Sequence, residues 1–350
     1  MTGTSTRTRA HVSAAHELAV IGRRRRRRTA VVLAGLVLVI LATAAFALLT
    51  GPFAASPLTV LSTFWGGGDP ATQTVVLTLR LPRIVAAITF GAGLAVSGAL
   101  FQSLTRNPLG SPDVVGFTSG AYTGALIAIV TVGGGVGATI TGSLVGGAAA
   151  ALLVGSLAAG GNGGRTRLIV VGIGIGAMFT AANHWLILTA DLDTALAAAV
   201  WGAGSLNGLT WGQVVPVSVI VVVLMGCAMA GSGRMRLLEM GDDMATALGV
   251  RIGRTKLMIL AVGIGLVAVV TAIAGPIAFI ALVAPHLAKR LAPDRTPIVV
   301  TGLMGSVLLL VSDTVATRLF APVQLPAGMV TICLGGAYLL WLLGRQARTR

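Results

Sequence analysis

An all-α membrane protein, a compact bundle of about ten transmembrane helices, is the fold class this sequence predicts, and three observations predict it. Hydrophobic residues make up 55% of the 350 and charged ones 10%, a composition too apolar for a water-soluble domain. The apolar residues gather into runs close to the roughly 20 that a helix needs to cross hydrocarbon. Between those runs the lysines and arginines favour alternate loops, as they do when the cytoplasmic side is kept basic. The formal charge of +15 would also suit a nucleic-acid binder, but such proteins interleave Lys and Arg with aromatic or polar residues along one face. Here the basic residues punctuate apolar runs, so no nucleic-acid partner is expected.

The first element is a basic extension, 1–28, which closes on six arginines, Arg23 to Arg28, and leads straight into the apolar run 29–49. That start resembles a signal peptide, but the run is too long for a cleaved apolar region and further spans follow. A retained first helix is expected, with its arginines holding the N-terminus in the cytoplasm. The rest of the membrane domain, 29–350, carries nine more runs, at 83–104, 114–132, 138–159, 167–189, 213–230, 255–274, 276–292, 298–318 and 327–343. The eighth is short and ends in Lys289 and Arg290.

Alternation from the first helix then places Arg106, Arg234, Lys256, Arg295 and the tail residues Arg345, Arg348 and Arg350 in the cytoplasm, with both termini. The segment 190–212 carries Asp191 and Asp193 but no basic residue, as an outside loop should. Arg80, Arg83 and Arg318 break the pattern, each at the outer end of a span, where snorkelling to lipid phosphate is the ordinary explanation. The 48 glycines cluster inside spans, which lets helix backbones approach closely and implies that some helices are surrounded by others.

Ionisable groups within spans are few: Asp313 in the ninth, His184 beside Asn183 in the fifth, and His286 at the inner end of the eighth. A buried, hydrogen-bonded polar residue accounts for each better than a part in substrate passage does. None pairs with another at the spacing of a catalytic dyad or a metal site. Cys227 and Cys333 sit singly in apolar runs and read as packing residues. A phosphate loop needs Gly directly before its Lys, whereas Lys256 follows Thr255 and Lys289 follows Ala288. Chemistry in this chain is not expected; it holds no cofactor of its own, and any ATP and Mg must be bound by a partner. The loop RMRLLEMGDDMATALGVRIGRTK, from Arg234 to Lys256, places Asp242 and Asp243 ahead of a helix-forming stretch and Gly249 after it. A short amphipathic helix at about 241–249 follows, suited to a protein groove as much as to the membrane surface.

Three blocks carry a family likeness. GDDMATALGV, followed by a span and GPIAFIALVAPHLAKRL, resembles the iron-siderophore and cobalamin branch of ATP-binding-cassette (ABC) importer permeases, the FecCD type. So does RLPRIVAAITFGAGLAVSGALFQSLTRNPLGSPDVVGFTSGA, from Arg80 to Ala121, and so does VSDTVATRLF with LPAGMVTICLGGAYLLWLL near the end. The resemblance runs from about Leu58 onward and implies a cobalamin-importer-permease-like bundle in the bacterial cytoplasmic membrane. It implies two ATPase subunits per complex, a second permease chain, and an extracytoplasmic siderophore-binding protein. The wording NPLGSPDVVGFTSGAYTGA is most similar to ferric enterobactin permeases, which implies a ferric catecholate siderophore as cargo and a different homologous chain as the second permease. Hydroxamate siderophores, haem and cobalamin are the alternatives within the family. By the same resemblance Asp242, Asp243, Ala245, Ala247, Leu248 and Gly249 form the coupling helix to the ATPase. Arg80, Arg83 and Arg318 would meet carboxylates of the binding protein, and the fifth span, with Asn183 and His184, would line the pathway. An ion-coupled secondary transporter is the more distant reading; it calls for broken helices and paired midplane charges.

Overall fold

A computed structural model describes residues 4–51, 56–113, 115–133, 135–158, 164–292, 297–319, 321 and 323–347 of the chain. Residues 1–3 of the basic extension, and Arg295, Arg348 and Arg350 of the basic census, lie outside these. Among the described residues all regular structure is helical. The helices are α1 Thr4–Leu49, α2 Pro57–Thr63, α3 Pro70–Gln73, α4 Leu81–Thr105, α5 Phe117–Val132, α6 Val136–Ala158 and α7 Gly164–Thr189. There follow α8 Leu192–Gly202, α9 Trp211–Glu239, α10 Asp242–Ala247, α11 Ile252–Ala274, α12 Ile280–Leu291, α13 Ile298–Arg318 and α14 Ala327–Ala347. Each of the ten expected spans has its helix.

Among the described residues seven helical stretches are long and apolar enough to cross a membrane, and α5, α8 and α14 are shorter apolar helices. Helix α1 is unbroken from Thr4 to Leu49, so the basic extension and the first span share one helix. A π-helical stretch, Thr74–Arg80, joins α3 to α4 without interruption. Pro82 explains it: a proline inside a continuous helix has no N–H to give and crowds the carbonyl one turn back, and a wider turn absorbs both.

Three expectations are corrected. The eighth span, taken as 276–292, is helical only over the 12 residues of α12. Gly275 and Phe279 both take positive φ, at 70° and 69°, and the backbone between them is not helical. The outside loop 190–212 holds a helix, α8, started by Asp191 accepting from the Thr194 amide at 3.1 Å. The stretch ahead of the second span, where no element was assigned, also folds into helices.

The core sits on α4, α11 and α13. In the helical stretch that contains α4, 72% of the apolar window is buried, and in α13 67%, against 11% in α1 and 17% in α7. The inner helices are thus wrapped by outer ones whose Val, Leu and Ile face the lipid position. Lipid tails are as apolar as leucine, so contact between helices must come from close packing and hydrogen bonds. A methyl added at Gly91 of α4 would meet the Gly305 backbone of α13, and one at Gly124 of α5 would meet Gly142 of α6. Across these seams Ser97 donates to Gly263 O at 2.6 Å and Ser306 to Ile88 O at 2.7 Å. Gln102 donates to Leu282 O at 3.1 Å, joining α4 to the start of α12.

Candidate functional site

The two ends of the bundle carry different constellations. At one end α9 passes through Gly241, with φ 128°, into α10, whose first turn holds Asp242 and Asp243 against the positive end of the helix dipole. The helix closes as the sequence implies. Gly249 takes φ +81°, its N–H donates to Thr246 O at 2.9 Å, and the Val250 N–H donates to Ala245 O at 2.9 Å. These two bonds form a Schellman motif, with Ala245 and Val250 buried as its apolar contact. Asp242 is the hub of this end. Its carboxylate accepts from Lys256 Nζ at 2.7 Å on α11 and from Arg106 Nη2 at 3.0 Å at the end of α4. Arg106 itself adopts φ 50° and also donates to Leu238 O. The short helix is therefore pinned to α4, α9 and α11 through one carboxylate. Of the residues expected to couple, Asp243, Ala247, Leu248 and Gly249 are exposed, whereas Ala245 faces the bundle and cannot touch a partner.

At the other end Arg80, Arg83 and Arg318 come together, and each donates to acceptors within the chain. Arg83 holds Asp313 bidentately, Nε to Oδ2 and Nη2 to Oδ1 both at 2.7 Å, and donates to Gln324 Oε1 at 3.2 Å. Arg80 Nη1 donates to Leu48 O at 2.5 Å, and Arg318 Nη2 donates to Ala47 O at 3.2 Å and to Thr50 O. Those carbonyls belong to the C-terminal turn of α1, where orphan acceptors and the negative end of the dipole favour cations. The carboxylate that Arg83 meets is its own chain's Asp313. What this end can offer outward is an excess of positive charge, three guanidiniums to one carboxylate among these four groups.

Between the ends, Asn183 and His184 diverge because neighbours on a helix point about 100° apart. Asn183 is buried, with Nδ2 donating to Ser119 O of α5 at 3.4 Å, and its Oδ1 is buried without a partner among the described residues. His184 is exposed on the opposite side of α7. His286 joins the wall of a cavity of about 470 Å³ at the Asp242 end, between the loop 105–111, α12 and α14. Cys227 and Cys333 are unpaired and exposed. Among the described residues no three His, Cys, Asp or Glu side chains come together as metal ligands would.

One functional group escaped the sequence reading. Asp113, in the loop between α4 and α5, is half-buried, and accepts from Thr118 Oγ1 at 2.8 Å and Ser111 Oγ at 3.2 Å. The backbone amide of Phe279, the left-handed residue that starts α12, lies on the same side. Burial pushes its pKa above the ordinary aspartate value, and those hydrogen bonds pull the other way. A carboxylate just ahead of an apolar run was the available signal, but after Pro112 it reads as a turn residue.

A model of the FecCD transport family matches residues 36–345. The ferric enterobactin transport system permease protein FepG of Escherichia coli K12 is 47% identical over 287 residues, which cover 81% of this chain and 87% of that protein. The hemin transport system permease protein HmuU of Yersinia pestis is 32% identical over 296 residues, 82% of this chain and 89% of that protein. A solved structure assigned to a metal-chelate type ABC transporter, in an inward-facing conformation, superposes with a TM-score of 0.81 at 28% identity, covering 89% of this chain and 98% of that one.

Proposed function

Because this chain belongs to the FecCD transport family, we propose that it is the membrane-spanning permease subunit of an ABC importer that carries a ferric siderophore of the enterobactin kind across the cytoplasmic membrane. The observation that carries the cargo is the 47% identity to a ferric enterobactin permease over most of both chains. The chain is a multi-pass membrane protein and a transport component.

In this reading the Asp242 end is cytoplasmic, together with both termini, and α10 seats in a groove of one of two ATPase subunits, which supply ATP and Mg. The exposed turn Asp243 to Gly249 supports that role, since Asp242 ties it to α4 and α11 and a push on it moves both. The Arg83 end faces outward and meets a siderophore-binding protein, its excess of positive charge steering an acidic partner. A second, homologous permease chain completes the pathway, with α7 and its Asn183 and His184 on the pathway wall. A wide, weakly binding channel suits a bulky anionic chelate, because a tight site would hold the cargo.

The test is uptake of ⁵⁵Fe-enterobactin by cells deleted for their own enterobactin permeases and given this chain together with the second permease chain, the ATPase and the binding protein of the same organism. Uptake should return and should stop when ATP is depleted while the ion gradient is kept. Uptake that follows the gradient and ignores ATP would mean an ion-coupled carrier. Uptake of ferrichrome or haem in place of ferric enterobactin would move the cargo to another branch of the family.

A further inference from the structure

Beside the coupling end, α12 and α14 finish together in a cluster that the transport reading does not use. Arg290, in the last turn of α12, lies over the Trp341 ring of α14, with Cζ 4.7 Å from its centroid and 5.9 Å from that of Tyr338. Arg345 approaches Trp341 as well, at 5.7 Å. The two rings pack at 5.9 Å, and His286 meets Tyr338 edge-on at 5.8 Å. Stacking on an aromatic face occupies the plane of a guanidinium and leaves its edge, where the N–H donors are, open.

The Arg290 donors meet no acceptor among the described residues. A basic residue in the last turn of a helix ordinarily serves the terminal carbonyls. Here Arg28 of α1 reaches across to do so, donating from Nε to Leu291 O at 3.2 Å. Among the described residues Lys289 and Arg290 have no hydrogen-bond or ion-pair acceptor, and both are exposed. Besides Arg28 and Arg345, exposed apolar side chains stand at this end: Leu340 is 74% exposed, Trp341 50% and Leu291 41%. A soluble anion or an acidic protein would leave those side chains in water, whereas a lipid brings a charged group and acyl chains together.

We propose that Lys289, Arg290 and Trp341 form a binding site for the phosphate of an anionic phospholipid, with the Arg290 fork on the phosphate oxygens, Lys289 as a second charge and the lipid chains along Leu340 and Trp341. Because the guanidinium already sits over the Trp341 ring, less side-chain freedom is lost when the phosphate arrives. Placing the lipid in the cytoplasmic leaflet rests on the orientation proposed above; the site itself does not.

Native mass spectrometry of the assembled importer, released from nanodiscs of defined lipid, tests it. Phosphatidylglycerol should stay bound under activation that strips phosphatidylcholine. The variant Lys289→Gln with Arg290→Gln, both surface positions, should retain phosphatidylglycerol roughly tenfold less, the loss of one charge-assisted contact. Arg290→Lys, which keeps charge but not the planar fork, should fall between. A control that removes equal charge elsewhere, Arg234→Gln with Arg236→Gln, should retain it as the parent does. Equal retention in the Lys289/Arg290 variant, equal retention of phosphatidylcholine, displacement by inorganic phosphate at matched concentration, or loss of the lipid on adding ATPase subunits would each overturn the site. None of these results depends on which side the termini face, which thiol labelling of single cysteines decides separately.

Discussion

Asp313 and Arg83 form a buried pair, at 7% and 15% side-chain exposure, and removing one partner strands the other. Arg83→Leu is expected to lower stability by about 3–5 kcal/mol, and Arg83→Met combined with Asp313→Leu to recover most of it. Thermal unfolding in detergent, followed by tryptophan fluorescence, measures both. A charge reversal at Arg83 would set two carboxylates against each other and report on folding, so a docking test belongs at Arg80 and Arg318. Asp113 makes the second case. Its pKa is raised by burial, so the folded state holds the proton more tightly than the unfolded one. The stability it contributes is complete below the ordinary value of 3.8 and is lost as pH rises through the raised value. Melting temperature measured from about pH 4 upward should therefore decline more steeply in the wild type than in Asp113→Asn, which cannot ionise. Asp113→Leu leaves Thr118 and Ser111 without their acceptor and should cost about 1–3 kcal/mol below the raised value and less above it. Asp113 could not be found from sequence, because its environment includes Phe279, 166 positions away, and a lone Asp after Pro carries no mark of that neighbour.

Helix α10 was legible because every device that builds it is local: two acidic residues in the first turn, a helix-forming stretch and a glycine in the left-handed position. Gly249→Val puts a β-branched residue at φ +81°, which costs about 1–2 kcal/mol and pulls the chain out of the Schellman closure. Uptake should drop severalfold while the complex still assembles, and Gly249→Asn, which tolerates that backbone better, should drop less. Uptake and ATP turnover measured together separate loss of coupling from loss of protein; normal values for both in Gly249→Val would remove α10 from the coupling step. Elements fixed by distant partners were less legible. Helix α8 is short and apolar, and what anchors it is Tyr122 of α5, which donates to Ala198 O at 3.0 Å and stacks on Trp201. The eighth span reads as a whole crossing because Pro276 to Phe279 is apolar, and apolar residues alone cannot distinguish helix from a non-helical approach to one.

For the whole molecule, the arrangement of spans was legible because bilayer thickness and loop charge act on every segment alike. With Cys227 and Cys333 replaced, a single cysteine at position 207 should react with an impermeant thiol reagent in intact cells and one at 246 should not; the opposite result would invert the molecule. Which helices end up inside was harder to see, since inner and outer spans are equally apolar and differ mainly in where small residues meet, as at Gly91 and Gly305. That seam has a consequence for how the protein is made. Helix α4 leaves the ribosome some 200 residues before α13, yet its backbone groove and its Arg83 are both completed only by Gly305 and Asp313. Until the ninth span is inserted, the nascent bundle must carry an unmatched guanidinium and an open groove at its centre. Chains ended near residue 297 should therefore be cleared by membrane proteases far faster than full-length protein in a pulse-chase experiment, and a helix supplied in trans that contains 298–318 should slow their loss. Equal half-lives for the two lengths would mean that the early helices find a stable arrangement without α13.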